Sequence, residues 1–234
     1  MAATGQAQSG YLSNAPLPFA LPAPPDEAAT SLESTIVQAS QKAAGGPQAD
    51  EAVMDAQAFE PAQPITRFTD AARAPLIAEQ RPVLVAFLGR ALGEVATYSG
   101  TYKNMAERAR LYVEEPAIPL CYDNPRYPLD PKRSYPSGHA ANGYAAALVL
   151  AEIFPARREE ILARGLRYGD NRVVCGAHHP SDVLEGQLLA VQYFKAASLT
   201  AAFREALDCA HQEEAVIEKK LPALPAGCAT RKLK

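Results

Sequence analysis

Residues 138–154, GHAANGYAAALVLAEIF, are apolar or small around the whole circumference of a helix rather than along one stripe. A helix of that kind holds its shape in water only when other elements pack it on every side. Pro155 ends it, because proline brings no N–H and clashes with the preceding turn. Covering such a segment takes several further helices, and the chain supplies candidates on both sides. Pro82–Tyr112 carries Leu84, Phe87, Leu88, Ala91 and Val95 at three- and four-residue steps. Residues 156–171 read as a charged amphipathic helix with Ile161, Leu162, Leu166 and Tyr168 turned inward. A last helical stretch opens at Pro180-Ser181-Asp182, with proline suited to the first turn, passes Leu184, Leu188, Val191 and Phe194, and continues with a break to Ile217. Shorter helices fit Ser31–Ala44 and Glu51–Phe59, separated by a Gly45-Gly46-Pro47 breaker. No alternating apolar–polar run of useful length is present. The expected fold class is therefore all-α: a single-domain compact helical bundle around a central buried helix at 139–154.

Prolines mark what lies outside the bundle. Residues 1–30 hold Pro16, Pro18, Pro22, Pro24 and Pro25 and read as an extended, Pro-rich N-terminal arm; 31–217 form the helical domain and 218–234 a tail. Between Glu114 and Pro136 six prolines make a long loop, and long ordered loops in small domains tend to carry function. With 48% hydrophobic and 21% charged residues in 234, a real core is affordable in size and disorder is excluded. The net charge of −3 gives no general basic surface, so no nucleic-acid binding is expected and any anion site must be local. No apolar run approaches the roughly 20 residues of a membrane span, so no membrane insertion is expected. The first residues lack the basic and apolar regions of a signal peptide, which is either absent or removed. Cys121, Cys175, Cys209 and Cys228 allow three disulfide pairings or buried thiols, and their spacing matches no zinc cluster.

Three short segments carry chemistry. His139 closes Pro136-Ser137-Gly138-His139 at the start of the apolar helix, where unpaired N–H groups and the dipole favour an anion and glycine permits its close approach. Ser137 could equally be an ordinary helix cap. In Arg172-x5-His178-x3-Asp182, the carboxylate is near enough to fix one imidazole tautomer, leaving the other nitrogen to act as nucleophile or base, although such a pair is also a common structural motif. Lys103-x6-Arg110 places two cations two turns apart along one helix and therefore on the same face, where they could clamp an oxyanion or be ordinary solvated surface. His139, His178, His179 and Asp182 show no metal-hydrolase spacing, so no metal is expected.

In this order the three segments resemble the signature of the type 2 phosphatidic acid phosphatase and vanadium haloperoxidase superfamily. SYPSGHA followed by ALVLAEIFP, and NRVVCGAHHPSDV, look like the class A bacterial non-specific acid phosphatases, over roughly residues 80–205. The resemblance implies that Lys103, Arg110, Arg172, Ser137 and the Gly138 backbone bind phosphate, that His178 is the nucleophile and Asp182 orients it, and that His139 protonates the leaving alcohol and then activates water. It implies no cofactor, phosphomonoester substrates, inhibition by vanadate, a periplasmic or secreted location and a homo-oligomer. The chain departs from the family pattern in three places: Leu111 replaces a proline, Asn171 a serine, and His179-Pro180 an aromatic and a polar residue. Asn171 and His179 are thereby placed on the expected substrate side.

A preferred disulfide pairing joins Cys121, in the loop after Arg110, to Cys175 in the third segment, and Cys209 to Cys228. A neutral His178 with a charged His139 implies a bell-shaped rate profile centred on mildly acidic pH. Two rival functions share the same residues. One is a vanadium-dependent haloperoxidase with vanadate on His178; the other is a secreted protein that binds phosphate without turnover.

Overall fold

A computed structural model describes residues 10–12, 16, 20–58, 63–122 and 128–229. Helix α1 (Glu27–Ala43) begins where the Asp26 carboxylate accepts the Ala29 N–H at 3.0 Å. Helix α2 (Gly46–Ala56) follows directly, with Pro47 in its first turn, where a missing N–H costs no hydrogen bond. Gly46 and Pro47 thus start a helix instead of separating two. The helix expected over Glu51–Phe59 begins five residues earlier and ends at Ala56; Phe59 lies outside the described residues. A 3-10 turn (Gln63–Phe68) runs into the one-turn α3 (Thr69–Ala72). Then come α4 (Pro82–Ala106), α5 (Leu111–Glu114), α6 (Gly138–Ile153), α7 (Arg158–Val174), α8 (Pro180–Ala197), α9 (Ala201–Ile217) and the short α10 (Ala226–Ala229). The fold is all-α, with no strand among the described residues.

Helix α6 is the centre, packed by α4, α7, α8 and α9. Its alanines at 140, 141, 145, 146 and 147 are buried together with Val149 and Leu150, so no polar face is left. Small residues bring the neighbours close. A Cβ on Gly143 would lie 2.3 Å from the Tyr168 ring of α7, so any side chain there would push the two helices apart. From α4, Leu84, Phe87, Leu88, Ala91 and Val95 enter the same core, each large one contributing roughly 1.5–3 kcal/mol by burial.

Two inward faces differ from expectation. On α7, Ile161 and Tyr168 are buried but Leu166 is exposed; Arg164 takes the inward place, because Asp55 of α2 accepts from its guanidinium at 2.6 Å and the rings of Phe68 and Tyr168 pack near it. On α8 the buried face is Val183, Leu189, Ala190 and Tyr193, while Leu184, Leu188 and Val191 face outward. The helix expected from Pro82 to Tyr112 ends at Ala106, because Glu107 turns left-handed (φ 45°). Residues 108–110 then run alongside the proline-rich loop, where Arg110 N–H bonds to Pro131 O (2.8 Å) and Ser134 N–H to Arg108 O (3.0 Å). The break before Ile217 falls at 198–200, where Thr200 caps α9 through the Phe203 N–H.

The arm is described at 10–12, 16 and 20–26; the rest of 1–19, and 230–234 of the tail, lie outside the described residues. Tyr11 is buried edge-on against Phe87 and Phe203, Glu94 accepts the Leu12 N–H at 2.9 Å, and Pro22 O accepts from Tyr135 at 2.7 Å. Disulfides join Cys121 to Cys175 and Cys209 to Cys228. The first ties the proline-rich loop to the end of α7, three residues before His178.

Candidate active site

The left-handed turn at Glu107 has a direct consequence for the cations. Lys103 sits in the last turn of α4 and Arg110 beyond it, so the two do not share a helix face as expected from their spacing. They converge through the loop instead. Lys103 Nζ donates to the carbonyls of Arg133 (2.9 Å), Ser134 (2.9 Å) and Pro136 (2.6 Å), which uses all three ammonium hydrogens. Arg110 donates to Asp130 O (2.8 Å), Ala177 O (2.7 Å) and Arg133 O (3.1 Å). Burial, then the neighbouring Arg110 charge, pushes the Lys103 pKa well down. Both cations are held in place before any ligand arrives.

Ser137 caps α6 by accepting the Ala140 N–H at 3.2 Å, which leaves its hydroxyl hydrogen to be donated. The N–H groups of Gly138 and His139 belong to the first helical turn, which has no intrahelical acceptor for them. A Cβ on Gly138 would meet Ser99 Oγ at 3.0 Å and Lys103 Cε at 3.8 Å, so glycine lets this helix end lie against the lysine. His139 stacks at 6.4 Å on Tyr168. Burial, and the charges of Arg172, Arg110 and Lys103, hold its pKa well below the usual histidine value, against a backbone hydrogen bond with Ala58.

His178, 2% exposed, lies in the turn between α7 and α8. Its Nδ1 is 3.2 Å from Asp182 Oδ2 and its Nε2 is 3.2 Å from Arg110 Nη1. The guanidinium can only donate, so Nε2 carries the lone pair and Nδ1 the hydrogen given to Asp182. Burial and Arg110 push the His178 pKa well down, keeping the ring neutral. Burial alone would raise the Asp182 pKa, but the hydrogen bond from His178 and the charge of Arg108 hold it below the usual carboxylate range. A cavity of about 270 Å³ opens on Lys103, Arg110, Gly138, His139 and His178, with Pro128, Leu129, Asp130 and Arg133 of the loop beside them. Arg172 on α7 is 2% exposed, and its Nε and Nη1 have no hydrogen-bond partner among the described residues. Burial and Arg110 lower its pKa to about 10.

The two expected substrate-side residues are elsewhere. One residue along a helix is about 100° around it, so Asn171 points away from Arg172; its amide donates to Asp55 Oδ2 (2.8 Å) and Glu51 Oε2 (3.1 Å) of α2. His179 is extended (φ −70°, ψ 153°), which sends its ring to the side opposite His178, towards Glu33, Glu114 and Ala109 O. Neither lines the cavity. The sequence reading missed Arg108 and Ser134, which bond to Asp182, and Glu33, which bonds to Arg108; Arg108 lies between Lys103 and Arg110 and Ser134 opens the SYPSGHA segment, whereas Glu33 stands beside no motif. No group of three or more His, Cys, Asp or Glu side chains able to hold a metal occurs among the described residues. Nor is any described helix long and apolar enough to cross a membrane.

A cationic cavity with a carboxylate-held imidazole, built from α4, the loop, the start of α6 and the turn between α7 and α8, can be compared with known families. The sequence model of the PAP2 superfamily matches residues 70–204, more than half of the chain and all of Lys103 to Asp182. The chain belongs to the PAP2 superfamily. This PAP2 protein is 38% identical over 134 residues to an acid phosphatase of Zymomonas mobilis, covering 57% of this chain and 50% of the relative. It is 35% identical over 127 residues to a non-specific acid phosphatase of Providencia stuartii, covering 54% and 50%. Over 80 residues it is 42% identical to a non-specific acid phosphatase of Salmonella typhimurium, covering 34% and 32%. The matched part spans about half the length of the first two relatives. Helices α1 and α2 lie outside the span matched by the PAP2 model.

Proposed function

We propose that this PAP2 protein is an acid phosphatase that hydrolyses phosphate monoesters of broad range through a phosphohistidine on His178. The observation that carries the reading is the imidazole itself: a neutral ring whose Nδ1 faces Asp182 and whose Nε2 lone pair meets a cationic cavity. On binding, the phosphoryl oxygens take up donors from Arg110 and Arg172, the Ser137 hydroxyl and the first N–H groups of α6, while Lys103 supplies charge and holds the loop. Nε2 attacks phosphorus, the P–O ester bond breaks, and the departing oxygen takes its proton from His139. His139 then removes a proton from water as it attacks the phosphohistidine, the P–N bond breaks, and phosphate leaves. An alcohol in place of water would give phosphotransfer. Vanadate, with the shape of the transition state, would inhibit. Two disulfides support a periplasmic or secreted location, and the outward-facing Leu184, Leu188 and Val191 of α8 support a homo-oligomer.

Rapid acid-free quenching with labelled substrate is expected to trap an acid-labile, alkali-stable phosphoryl group on the peptide containing His178. Stoichiometric label on any other residue would overturn the reading.

The proton bookkeeping gives a second expectation. In the free protein burial, and then the cations, hold His139 neutral; a bound dianion offsets the cations and raises its pKa. A group whose bound pKa exceeds its free pKa strengthens binding as pH falls through the interval between the two values. Calorimetry of sulfate binding in mildly acidic buffers of different ionisation enthalpy is expected to show uptake approaching about one proton per site, lost in His139→Ala. Equal heats in all buffers for the unaltered protein would contradict this role.

A further inference from the structure

Arg108, one of the six residues between Lys103 and Arg110, is buried and does not line the cavity; its guanidinium meets the third segment only at Asp182 and its neighbour Ser181. Its Nη1 donates to Asp182 Oδ1 (2.8 Å) and Ser181 Oγ (2.7 Å); its Nη2 donates to Glu33 Oε2 (2.7 Å) and Thr30 Oγ1 (3.1 Å). The other Glu33 oxygen accepts the Ser181 N–H at 2.7 Å, so one carboxylate from α1 clamps both the arginine and the first turn of α8. With Oδ1 taken by the guanidinium, the Asp182 carboxylate cannot turn. Oδ2 is left facing Ser134 Oγ (2.5 Å), the His179 N–H (3.0 Å) and His178 Nδ1 (3.2 Å).

We propose that Arg108, tethered by Glu33 of α1, is a positioning residue for phosphoryl transfer: it locks the Asp182 carboxylate and thereby the tautomer and aim of the His178 ring. The inference rests on His178 being the nucleophile. It also gives α1, outside the matched PAP2 span, a part in the active site. The end of α4 at Ala106 is what makes the contact available, since a continuing helix would not hand residue 108 to the bundle interior. The charges around this relay are Glu33, Glu114 and His179 on the α1 side, Arg108 in the middle, and Lys103 and Arg110 on the cavity side of His178, with Tyr135 and Glu185 near Asp182.

Four variants test it: R108Q, R108K, E33Q and the control H178A. Removing the cation raises the proton affinity of Asp182 and of the imidazole bonded to it, so in R108Q the acid limb of kcat/KM is expected to move up by about one pH unit. Its kcat should fall by about 10- to 100-fold, with KM changed by less than about threefold. R108K keeps the charge but not the fork, so its limb should stay near the unaltered position while kcat recovers only in part. In E33Q the cation loses its counter-charge and the limb should move down, opposite to R108Q. Opposite shifts are not what simple loosening of the fold produces; if R108Q does not fold, the downward shift in E33Q carries the test. Limbs that stay fixed in the folded R108Q and E33Q, or move the same way, while H178A is inactive, overturn the proposal alone. Phosphate release that survives in H178A overturns the nucleophile reading and the proposal together.

Discussion

His178→Ala is expected to release phosphate from p-nitrophenyl phosphate at least about four orders of magnitude more slowly than the unaltered protein, while binding sulfate with little change. The large loss follows from the proposed chemistry, because a covalent route has no substitute once Nε2 is gone. What remains would be the electrostatic and positioning contribution of the cradle. Sulfate should still bind, since Lys103, Arg110, Arg172 and the start of α6 are untouched. The fold should tolerate the change at a cost of about 1–3 kcal/mol, because Asp182 keeps Arg108, Ser134 and the His179 N–H as donors when the ring is removed. The ring leaves a void beside Arg110, so free imidazole in the medium should restore part of the rate. Turnover in His178→Ala within about tenfold of the unaltered protein would remove His178 from the nucleophile position.

The all-α class and the central helix were legible because they follow from patterns that no tertiary detail can reverse. A segment apolar all round has to be enclosed, and α6 starts one residue before the expected 139 and stops at Ile153, just short of Pro155. That His139, His178, Lys103 and Arg110 belong to one site was implied by the resemblance of the three motifs to a known signature, and all four line one cavity. What sequence could not carry is where a helix ends without a glycine or proline to stop it. Lys103-x6-Arg110 contains only good helix formers around the break, and the chain leaves the helix because Arg108 and Arg110 find carboxylates and carbonyls in other elements. Those partners are up to 75 residues away in sequence, so no local signal marks them.

The same limit explains Asn171, His179 and Leu166. Adjacency to a catalytic residue suggests a shared location, yet on a helix or in an extended segment the next side chain points elsewhere. Asn171 completes a polar cluster with Asp55, Glu51 and Arg164 that fastens α2 to α7. Leu166 faces outward because Arg164, drawn inward by Asp55, sets which side of α7 is buried. A charged residue thus overrides an apolar one in fixing the helix face, which hydrophobic periodicity cannot anticipate. Glu33 is the extreme case: it sits in an unremarkable amphipathic segment and gains meaning only from Arg108.

Arg172→Met is expected to separate function from stability, moving them in opposite directions. Arg172 is almost completely buried, its Nε and Nη1 have no protein partner among the described residues, and burial together with Arg110 already weakens its hold on its proton. A cation in that state is held at the expense of the fold, and a methionine of similar length can fill the space without the desolvation penalty. The variant should therefore be more stable without ligand by about 1–3 kcal/mol, a rise of roughly 2–10 °C in Tm for a domain of this size. Sulfate should offset most or all of that difference. At a concentration about 100-fold above its Kd, sulfate stabilises the unaltered protein by about 2.7 kcal/mol. The variant, having lost two charge-assisted donors, should bind about 100- to 1000-fold more weakly and gain almost nothing. Thermal unfolding of both proteins with and without sulfate reads all four states. A variant that melts below the unaltered protein without ligand yet keeps its sulfate shift would mean that Arg172 serves the fold and not the anion.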